Sequence, residues 1–418
     1  MIKQQRAYSF FITHILLFLV MVAPAFAVEV RYPIPCYEGE ELKKVRQWEK
    51  IWVGKIIDTA NVDKIKELLP ESLYEIITNE EEWGRSWFAI VPYRQYTMTA
   101  GTIAATKKYS PAARLGEQGE LLDWVAGVPF PVPKTGMEIA WNYYARTKGD
   151  SLFTNAPAYI VDGRKKYDRN VQFEVWLTYF AGRLDVPPVP EILPNPKQIY
   201  RGASSEFTDP PEMRGNLSFQ ATYKDTSKPY DMWAWFAGLR RVRRMSTAQR
   251  TDTQAGQDLC YDDNYGWDGS MIRNTYEILG RKEILVARHQ DIQKLEHTEG
   301  DCIVDGLQRE RINTFVLEVI NKDPGYIYKK SIWYMDPELW HIAYADRYDK
   351  HGNYWKQFDQ YQAIFKGYKD QDIPYQAGSM TIDHQRIHST FGIVPDSKLG
   401  IEIPTEKFSI KYLYKYGR

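Results

Sequence analysis

Residues 327–361, IYKKSIWYMDPELWHIAYADRYDKHGNYWKQFDQY, decide the fold of this 418-residue chain. Two turn sequences, Asp336-Pro337-Glu338 and Asp349-Lys350-His351-Gly352, separate three runs that are rich in Tyr, Trp and Ile. Proline, glycine and aspartate favour turns, whereas aromatic and β-branched residues favour strands. The stretch therefore predicts three consecutive antiparallel strands, a β-meander.

Strand-like sequence occupies most of the chain beyond Asp150. Apolar and polar residues alternate there, and Gly, Pro, Asn and Asp recur at short intervals. Strands are predicted at 171–179, 219–223, 230–236, 274–279, 314–320 and 326–335, with a proline-rich loop at 187–196. The part 151–418 is therefore expected to form an antiparallel β structure.

Helical spacing is concentrated before Asp150. Leu42, Val45 and Trp48 predict an amphipathic helix over 40–55. A second helical stretch follows Asn61 and restarts at Pro70, and a third covers 136–146. With a helix-rich part at 28–150 packed against 151–418 as one extended domain, the predicted fold class is α+β and mostly β.

One predicted strand, at 230–237, is apolar on both faces. One face carries Met232 and Phe236, and the other carries Trp233 and Trp235. A sheet with water on one side would show a clean alternation of apolar and polar residues. We therefore expect this strand to be covered by a helix or second sheet on one side and by a cavity on the other, with an ordinary sandwich core as the alternative.

The composition excludes several classes of protein. The chain has 54 Lys and Arg against 54 Asp and Glu, so its formal net charge is zero, and 44% of its residues are hydrophobic. A protein that binds nucleic acid through the phosphate backbone would be strongly basic, and a disordered chain would be less apolar. The aromatic share of 14% agrees with a strand-rich fold.

The first 27 residues have the features of a secretory signal peptide. Lys3 and Arg6 precede an apolar run at 10–22, and Ala25-Phe26-Ala27 forms a small-x-small cleavage site. The apolar run is shorter than an ordinary membrane span. The mature protein is therefore expected in an envelope compartment, and an uncleaved N-terminal anchor is the alternative.

Three cysteines, Cys36, Cys260 and Cys302, would lie in that oxidising compartment. A hairpin-like excursion would bring Cys260 and Cys302 together, so a disulfide between them is the preferred prediction. Three buried thiols are the alternative. The sequence contains no Cys-x-x-Cys, so neither a zinc knuckle nor a thioredoxin-type site has support.

The most distinctive charged feature is the run GLRRVRR at 238–244. On a strand, Arg240 and Arg244 would share one face, and Arg241 and Arg243 would share the other. Guanidinium groups bind carboxylates and phosphates through paired hydrogen bonds, so contact with an anionic lipid headgroup is one hypothesis. A solvated sheet face paired with acidic residues is the alternative.

No catalytic or cofactor motif is recognisable in the sequence. A Gly-x-Ser-x-Gly elbow, a phosphate-binding loop and a dinucleotide fingerprint are all missing. The acidic loop 262–269 does not fit an EF-hand, because Arg273 stands where that loop needs glutamate. The pair His384 and His388 lacks a nearby third metal ligand. We therefore predict no cofactor, no metal and no enzymatic activity.

Several motifs follow one another in a set order along the chain. They are GVPFPVP at 127–133 with Glu138 and Trp141-Asn142, GLRRVRR at 238–244, the loop 262–269 leading into YEILGRKE at 276–283, YKKSIWYMD at 328–336 and YDKHG at 348–352. In this the chain resembles the bacterial envelope proteins of the domain-of-unknown-function 1329 family, although Ala287-Arg288 replaces the family's usual Pro-Tyr. The resemblance implies the fold of the lipoprotein carriers LolA and LolB, an incomplete antiparallel β-barrel wrapped around helices.

The same resemblance implies a place in the periplasm, or at the periplasmic face of the outer membrane, in the company of RND-type exporters. We therefore expect a non-enzymatic protein that binds or carries a lipid or another hydrophobic ligand, and no nucleic acid. The expected ligand-binding residues are Trp233, Trp235, Trp333 and Trp340, with Arg240 and Arg244 near a headgroup. The alternatives are a secreted carbohydrate-active enzyme or polysaccharide-binding protein, and a scaffold of an envelope export complex.

Overall fold

Antiparallel strands dominate the computed structural model, which describes residues 32–146, 148–163, 167–295 and 304–417. The strands are β1 (Ile56–Ile57), β2 (Phe88–Ile90), β3 (Arg114–Leu115), β4 (Leu121–Leu122), β5 (Ser151–Val161), β6 (Tyr167–Tyr179), β7 (Ile199–Asp209), β8 (Leu217–Tyr223), β9 (Asp231–Phe236), β10 (Arg241–Arg244), β11 (Asn274–Ala287), β12 (Leu307–Asn321), β13 (Tyr328–Asp336), β14 (His341–Asp349), β15 (Tyr354–Lys366), β16 (Asp372–Asp383), β17 (His388–Ile393) and β18 (Lys398–Leu399). Strands β13 to β15 are the predicted meander. The other predicted strands are also present, and β11 and β12 are longer than predicted.

Helices lie mainly in the N-terminal part, as the periodicity predicts. The α-helices are α1 (Gly39–Trp52), α2 (Glu71–Thr78), α3 (Glu80–Trp83), α4 (Ala100–Tyr109), α5 (Gly136–Ala145) and α6 (Ile410–Tyr416). Helix α2 starts directly after Pro70, and Thr135 and Glu138 form a capping box at the start of α5. In the described part of the chain, no helix is long and apolar enough to cross a membrane.

One large sheet contains the strands other than β3 and β4. Its order is β1-β2-β12-β13-β14-β15-β16-β17-β5-β6-β7-β8-β9-β10; in addition, β11 pairs with β12 and β18 pairs with β5. Neighbouring strands are antiparallel except for the parallel pair of β2 and β12. Among the described residues, β10 and β11 do not pair with each other. This mixed, mostly antiparallel sheet that does not close into a barrel confirms the predicted fold class.

Side chains alternate between the two faces of this sheet. Phe358, Ala345 and Trp333 are partners in neighbouring strands and therefore share one face, which we call the inner face. Helix α5 packs on the inner face, where its Trp141 and Tyr143 join Trp333 in one aromatic core. This half of the inner face is therefore filled by side chains.

Other helices cover the opposite face, which we call the outer face. The Ser72 hydroxyl of α2 lies 2.7 Å from the Tyr344 hydroxyl and donates to Asp346 at 2.7 Å. Further along the sheet, Leu413 of α6 packs with Trp235 of β9. The strand that is apolar on both faces is therefore covered by a helix on its outer face, in agreement with the sequence.

A buried arginine joins β11, β12 and β13. Arg288, directly after β11, pairs with three carboxylates and is 0% exposed. The carboxylates belong to Glu310 at 3.2 Å, Asp336 at 3.0 Å and Glu338. Glu338 also accepts the backbone N–H of Cys36 at 3.0 Å, which attaches the N-terminal segment. Burial alone lowers the pKa of Arg288, but the carboxylates outweigh burial and raise that pKa well above its usual value.

We expect the substitution Arg288→Met to lower the free energy of unfolding by about 3–5 kcal/mol, because it leaves buried carboxylates without their cation. Urea unfolding followed by far-UV circular dichroism measures this loss. Arg243→Met is the matched control: Arg243 is exposed, and its replacement should change the free energy by no more than about 0.5 kcal/mol. A loss at Arg288 no larger than that of the control would contradict the prediction.

Candidate functional site

A cavity of about 220 Å³ lies between the inner face and residues 254–268, which we call the cover segment. Strands β5 to β9 and β15 to β17 contribute to its walls. Its apolar lining residues include Ala156, Pro157, Ala158, Phe173, Val175, Leu177, Ala203, Met232, Phe358, Phe391 and Val394 on the sheet side, and Leu259 in the cover segment. A concave site that is mostly apolar, with a few polar groups, is the usual form of a small-molecule site.

The side chains of the strands explain why space remains at this position. Ala156 on β5, Ala203 on β7 and Gly378 on β16 line the cavity with little side-chain volume. Phe358 of β15 borders both the cavity and the aromatic core around α5. The inner face is therefore filled by large aromatic residues on one side of Phe358 and left open by small residues on the other.

Buried polar contacts hold one part of the cover segment against the meander. The Tyr328 hydroxyl donates to Asp263 at 2.8 Å, and the Arg347 guanidinium donates to the backbone carbonyl of Gly266 at 2.8 Å. Asp263 is 0% exposed and Arg347 is 1% exposed. Since buried polar groups are costly to leave unpaired, this part of the cover segment is fixed to β13 and β14.

The other part of the cover segment is attached at Asp258. One carboxylate oxygen of Asp258 lies 2.7 Å from Nδ1 of His388 and accepts from the Thr390 hydroxyl at 2.7 Å. Lys356 donates to the backbone carbonyl of Asp258 at 2.7 Å. The hydrogen bond to Asp258 raises the pKa of His388. Because Thr390 lines the cavity, this contact joins the cover segment directly to the cavity wall.

One end of the cavity is charged. Arg201 of β7 donates to both oxygens of Asp268, at 2.8 and 2.9 Å, and Gln220 donates to the same carboxylate at 3.1 Å. Burial alone would raise the pKa of Asp268, but Arg201 and Lys148 outweigh burial and lower it. Burial, together with the guanidinium groups of Arg146 and Arg201, lowers the pKa of Lys148 well below its usual value. The site is therefore amphipathic, with basic groups at one end.

The four tryptophans expected to bind a ligand lie outside the lining of this cavity. Trp333 and Trp340 are buried in the aromatic core around α5. Trp233 and Trp235 lie on the outer face of β9, because the alternation that turns Met232 into the cavity turns its neighbours the other way. The sequence identifies two apolar faces on this strand, but the cover segment decides which face borders the cavity.

The prediction that Arg240 lies in a strand is wrong. Residues Ala237–Leu239 form a 3₁₀ turn, Arg240 has a left-handed backbone with φ of 50°, and β10 begins one residue later. Arg244 does lie in β10, opposite Trp233 of β9, and pairs with Asp231. Its side chain is 67% exposed, which agrees with the alternative of a solvated face paired with acidic residues.

Cys260 is a buried cysteine of the cover segment, just before its acidic pair Asp262 and Asp263. Cys302, the partner that the sequence predicts for it, lies outside the described residues, so the disulfide stays a prediction. The predicted signal peptide at 1–27 also lies outside the described residues.

Cys36 contributes to a group of possible metal ligands. The ligand atoms of Cys36, Asp336 and Glu338 all lie within 4.8 Å of one another. Arg288 pairs with both carboxylates, and burial raises the pKa of the Cys36 thiol. Metals bind the thiolate form of cysteine, and a raised pKa disfavours that form. The group is therefore better described as an ion-pair network around Arg288 than as a metal site.

Sequence reasoning missed the charged end of the cavity. Arg201 stands between Ile199-Tyr200 and Gly202-Ala203, and an arginine among apolar and small residues is a signal of a buried charge. Asp268 belongs to the loop 262–269, whose oxygens suggest calcium but whose carboxylate here pairs with Arg201. Lys148 follows a helix and precedes a turn glycine, a context that carries no such signal.

Fold and site together define an open, mostly antiparallel sheet with an amphipathic cavity beneath a cover segment. The chain belongs to the family described as proteins of unknown function, DUF1329, whose sequence model matches residues 56–410. This match confirms the resemblance that the sequence motifs carry.

Relatives and solved structures resemble the chain at low identity. An uncharacterised protein of Pseudomonas aeruginosa is 27% identical over 300 residues, which cover 68% of this chain and 63% of that protein, less than two thirds of its length. A DUF1329 family protein from Desulfovibrio piger covers 66% of this chain and 97% of its own, with a TM-score of 0.49 and 16% identity. A LolA superfamily protein from Nitrosomonas europaea covers 67% of this chain and 100% of its own, with a TM-score of 0.42 and 13% identity.

We expect His388→Gln to destabilise the protein by about 1.5 kcal/mol at low pH, because it removes a charge-assisted hydrogen bond to Asp258. The folded-state pKa of His388 is raised above its ordinary value of 6.5. The stabilisation is therefore complete below pH 6.5 and is lost as the pH rises through the raised pKa. Urea unfolding of both proteins across this pH range measures the difference.

The matched control for this experiment is His351→Gln, in the exposed turn between β14 and β15. It should change the unfolding free energy by no more than about 0.5 kcal/mol. A difference between wild type and His388→Gln that grows with rising pH would have the wrong sign for a raised histidine pKa.

Proposed function

We propose that this protein binds and carries a hydrophobic ligand of the lipid class in the bacterial envelope, and that it does so without chemical turnover. The observation that carries the proposal is the cavity of about 220 Å³ between the sheet and the cover segment. Its apolar wall can accept an alkyl chain, because each methylene taken out of water contributes about 0.8 kcal/mol.

The attachment of the cover segment supports a carrier rather than a permanently closed core. The contact between Asp258 and His388 depends on a side chain that is 21% exposed, whereas Asp263 and Arg347 are fully buried. Opening at the first contact would expose the cavity while the second keeps the segment attached. A carrier needs such an entrance, because its ligand must enter and leave without unfolding the sheet.

The proposed location is the periplasm or the periplasmic face of the outer membrane. It is supported by the signal-peptide features of residues 1–27. Partnership with an RND-type exporter, or a role as scaffold of an export complex, would be tested by co-purification from gently solubilised envelopes.

A carbohydrate-active enzyme is the alternative function. General acid catalysis by a glycosidase needs a carboxyl group with a raised pKa. The Asp268 carboxylate at the charged end of the cavity instead has a lowered pKa and pairs with Arg201. Asp268 therefore lacks the raised pKa that the general acid of a glycosidase needs.

We expect Ala203→Trp to reduce uptake of a fluorescent fatty acid, because the indole ring would occupy the cavity. Exclusion of two methylenes from an apolar site removes about 1.6 kcal/mol, which weakens binding by about tenfold. Fluorescence titration of the purified protein measures the dissociation constant. Lipid extraction and mass spectrometry of both proteins, isolated from native envelopes, tests the same loss for the natural ligand.

Ala104→Trp on the exposed side of α4 is the matched control for Ala203→Trp, and it should bind as wild type does. Near-UV circular dichroism checks that both variants keep their tertiary structure. If wild-type protein carries no lipid and takes up no fatty acid, the proposed function is rejected.

A further inference from the structure

Three cavities share lining residues near the charged end of the site. Beside the main cavity lie two smaller spaces of about 40 and 20 Å³. Arg146 and Lys148 line both of the small spaces, and Arg201 lines the main cavity and one of them. Tyr265 separates the main cavity from the other small space and lines both. Arg201 therefore borders the main cavity, and Arg146 and Lys148 border the small spaces beside it.

Positive charge exceeds negative charge at this point. Arg201 pairs with Asp268, but no described carboxylate lies within ion-pair distance of Arg146 or Lys148. Arg146 stacks 3.8 Å from the centre of the Tyr143 ring, and the Lys148 ammonium lies 4.5 Å from the centre of the Tyr265 ring. Aromatic rings stabilise a cation only partly, so the described residues provide neither Arg146 nor Lys148 with a direct ion-pair partner.

Unused hydrogen-bond groups accompany these charges. Arg146, Lys148 and Arg201 are 8%, 5% and 6% exposed, and His341, which lines the same small space as Lys148, is 2% exposed. Neither ring nitrogen of His341 has a hydrogen-bond partner among the described residues, and the same holds for Nε of Arg201. Burial and the guanidinium groups of Arg146 and Arg288 lower the pKa of His341 well below its usual value.

This environment contrasts with that of Arg288 in the same protein. Arg288 is also buried but pairs with the carboxylates of Glu310, Asp336 and Glu338. Buried charges are normally paired, because an isolated charge in a protein interior is costly. The sequence supplies carboxylates for Arg288 and leaves Arg146 and Lys148 without them, which is the arrangement expected when the anion comes from a ligand.

We propose that Arg146, Lys148 and Arg201 bind the anionic headgroup, carboxylate or phosphate, of an amphiphile whose alkyl chain lies along Ala203 and Met232 in the apolar cavity. This inference rests on the proposed function, since it names the class of ligand that the same cavity takes. It also places the headgroup contact on the inner face, at a site remote in sequence from the exposed arginines of β10.

The bonds expected in the complex follow from the groups present. The Lys148 ammonium and the Arg146 guanidinium donate to the anion, and the second small space lets His341 donate from one ring nitrogen. An anion bound there favours the protonated form of Lys148, because opposite charge raises the pKa of an amine. Binding of the acid form of a ligand therefore transfers a proton to the protein when Lys148 is neutral.

Isothermal titration of the full mature chain with decanoate, decyl phosphate and decanol tests the proposal, because the three probes share one alkyl chain and differ in the headgroup. Wild-type protein should bind both anions at least about tenfold more tightly than decanol. The free energy of one charge-assisted hydrogen bond corresponds to a ratio of dissociation constants of about this size. Acetate and inorganic phosphate, titrated alone, should bind far more weakly than the decyl compounds.

Lys148→Met is the diagnostic variant, and Lys107→Met on the exposed side of α4 is its matched control. Lys148→Met should lose most of the preference for the anions over decanol, whereas Lys107→Met should keep that preference. Near-UV circular dichroism checks the fold of both variants, and the wild-type series alone decides the question if Lys148→Met does not fold.

The outcomes separate this inference from the proposed function. If wild-type protein binds decanol as tightly as decanoate and decyl phosphate, the carrier stands and the headgroup site is overturned. If inorganic phosphate binds as tightly as decyl phosphate, the site takes a free anion and the amphiphile assignment is overturned. If none of the decyl compounds binds, the proposed function fails and this inference fails with it.

Discussion

The structure depends on one constraint: an open sheet that is apolar on both faces must be covered on both faces. Apolar surface left in water is costly, and an unclosed sheet cannot cover itself as a complete barrel does. Helices α2 and α6 cover the outer face through Ser72 and Leu413. Helix α5 and the cover segment share the inner face, and the cavity lies where their side chains do not meet.

The cavity is therefore a consequence of unequal filling of one face. Trp333 and Trp340 fill the part of the inner face under α5, whereas Ala156 and Ala203 leave the neighbouring part open. Tightly packed interiors normally leave few spaces of this size. A space bounded by small residues on several strands, and closed by a polar segment that is attached at defined points, has the form of a binding site.

Two buried arginine environments show how charge is distributed in the interior. Arg288 is paired with carboxylates of β12, β13 and the turn after β13, and acts as a structural centre. Arg146 lies against the Tyr143 ring and beside Lys148, at the end of a cavity. Buried arginines thus occupy two kinds of environment in this protein, and the position of the carboxylates distinguishes the two.

The sequence by itself determined the local elements, because they depend on neighbouring residues: the meander at 327–361, the helices around Trp48 and Trp141, and the two apolar faces of β9. The tertiary structure decided which of those faces meets the cavity and therefore placed Trp233 outside it. It also decided that Lys148 and Arg201, 53 residues apart in the sequence, lie at one site. Proximity of distant residues arises from strand pairing across the sheet, and no local pattern contains it.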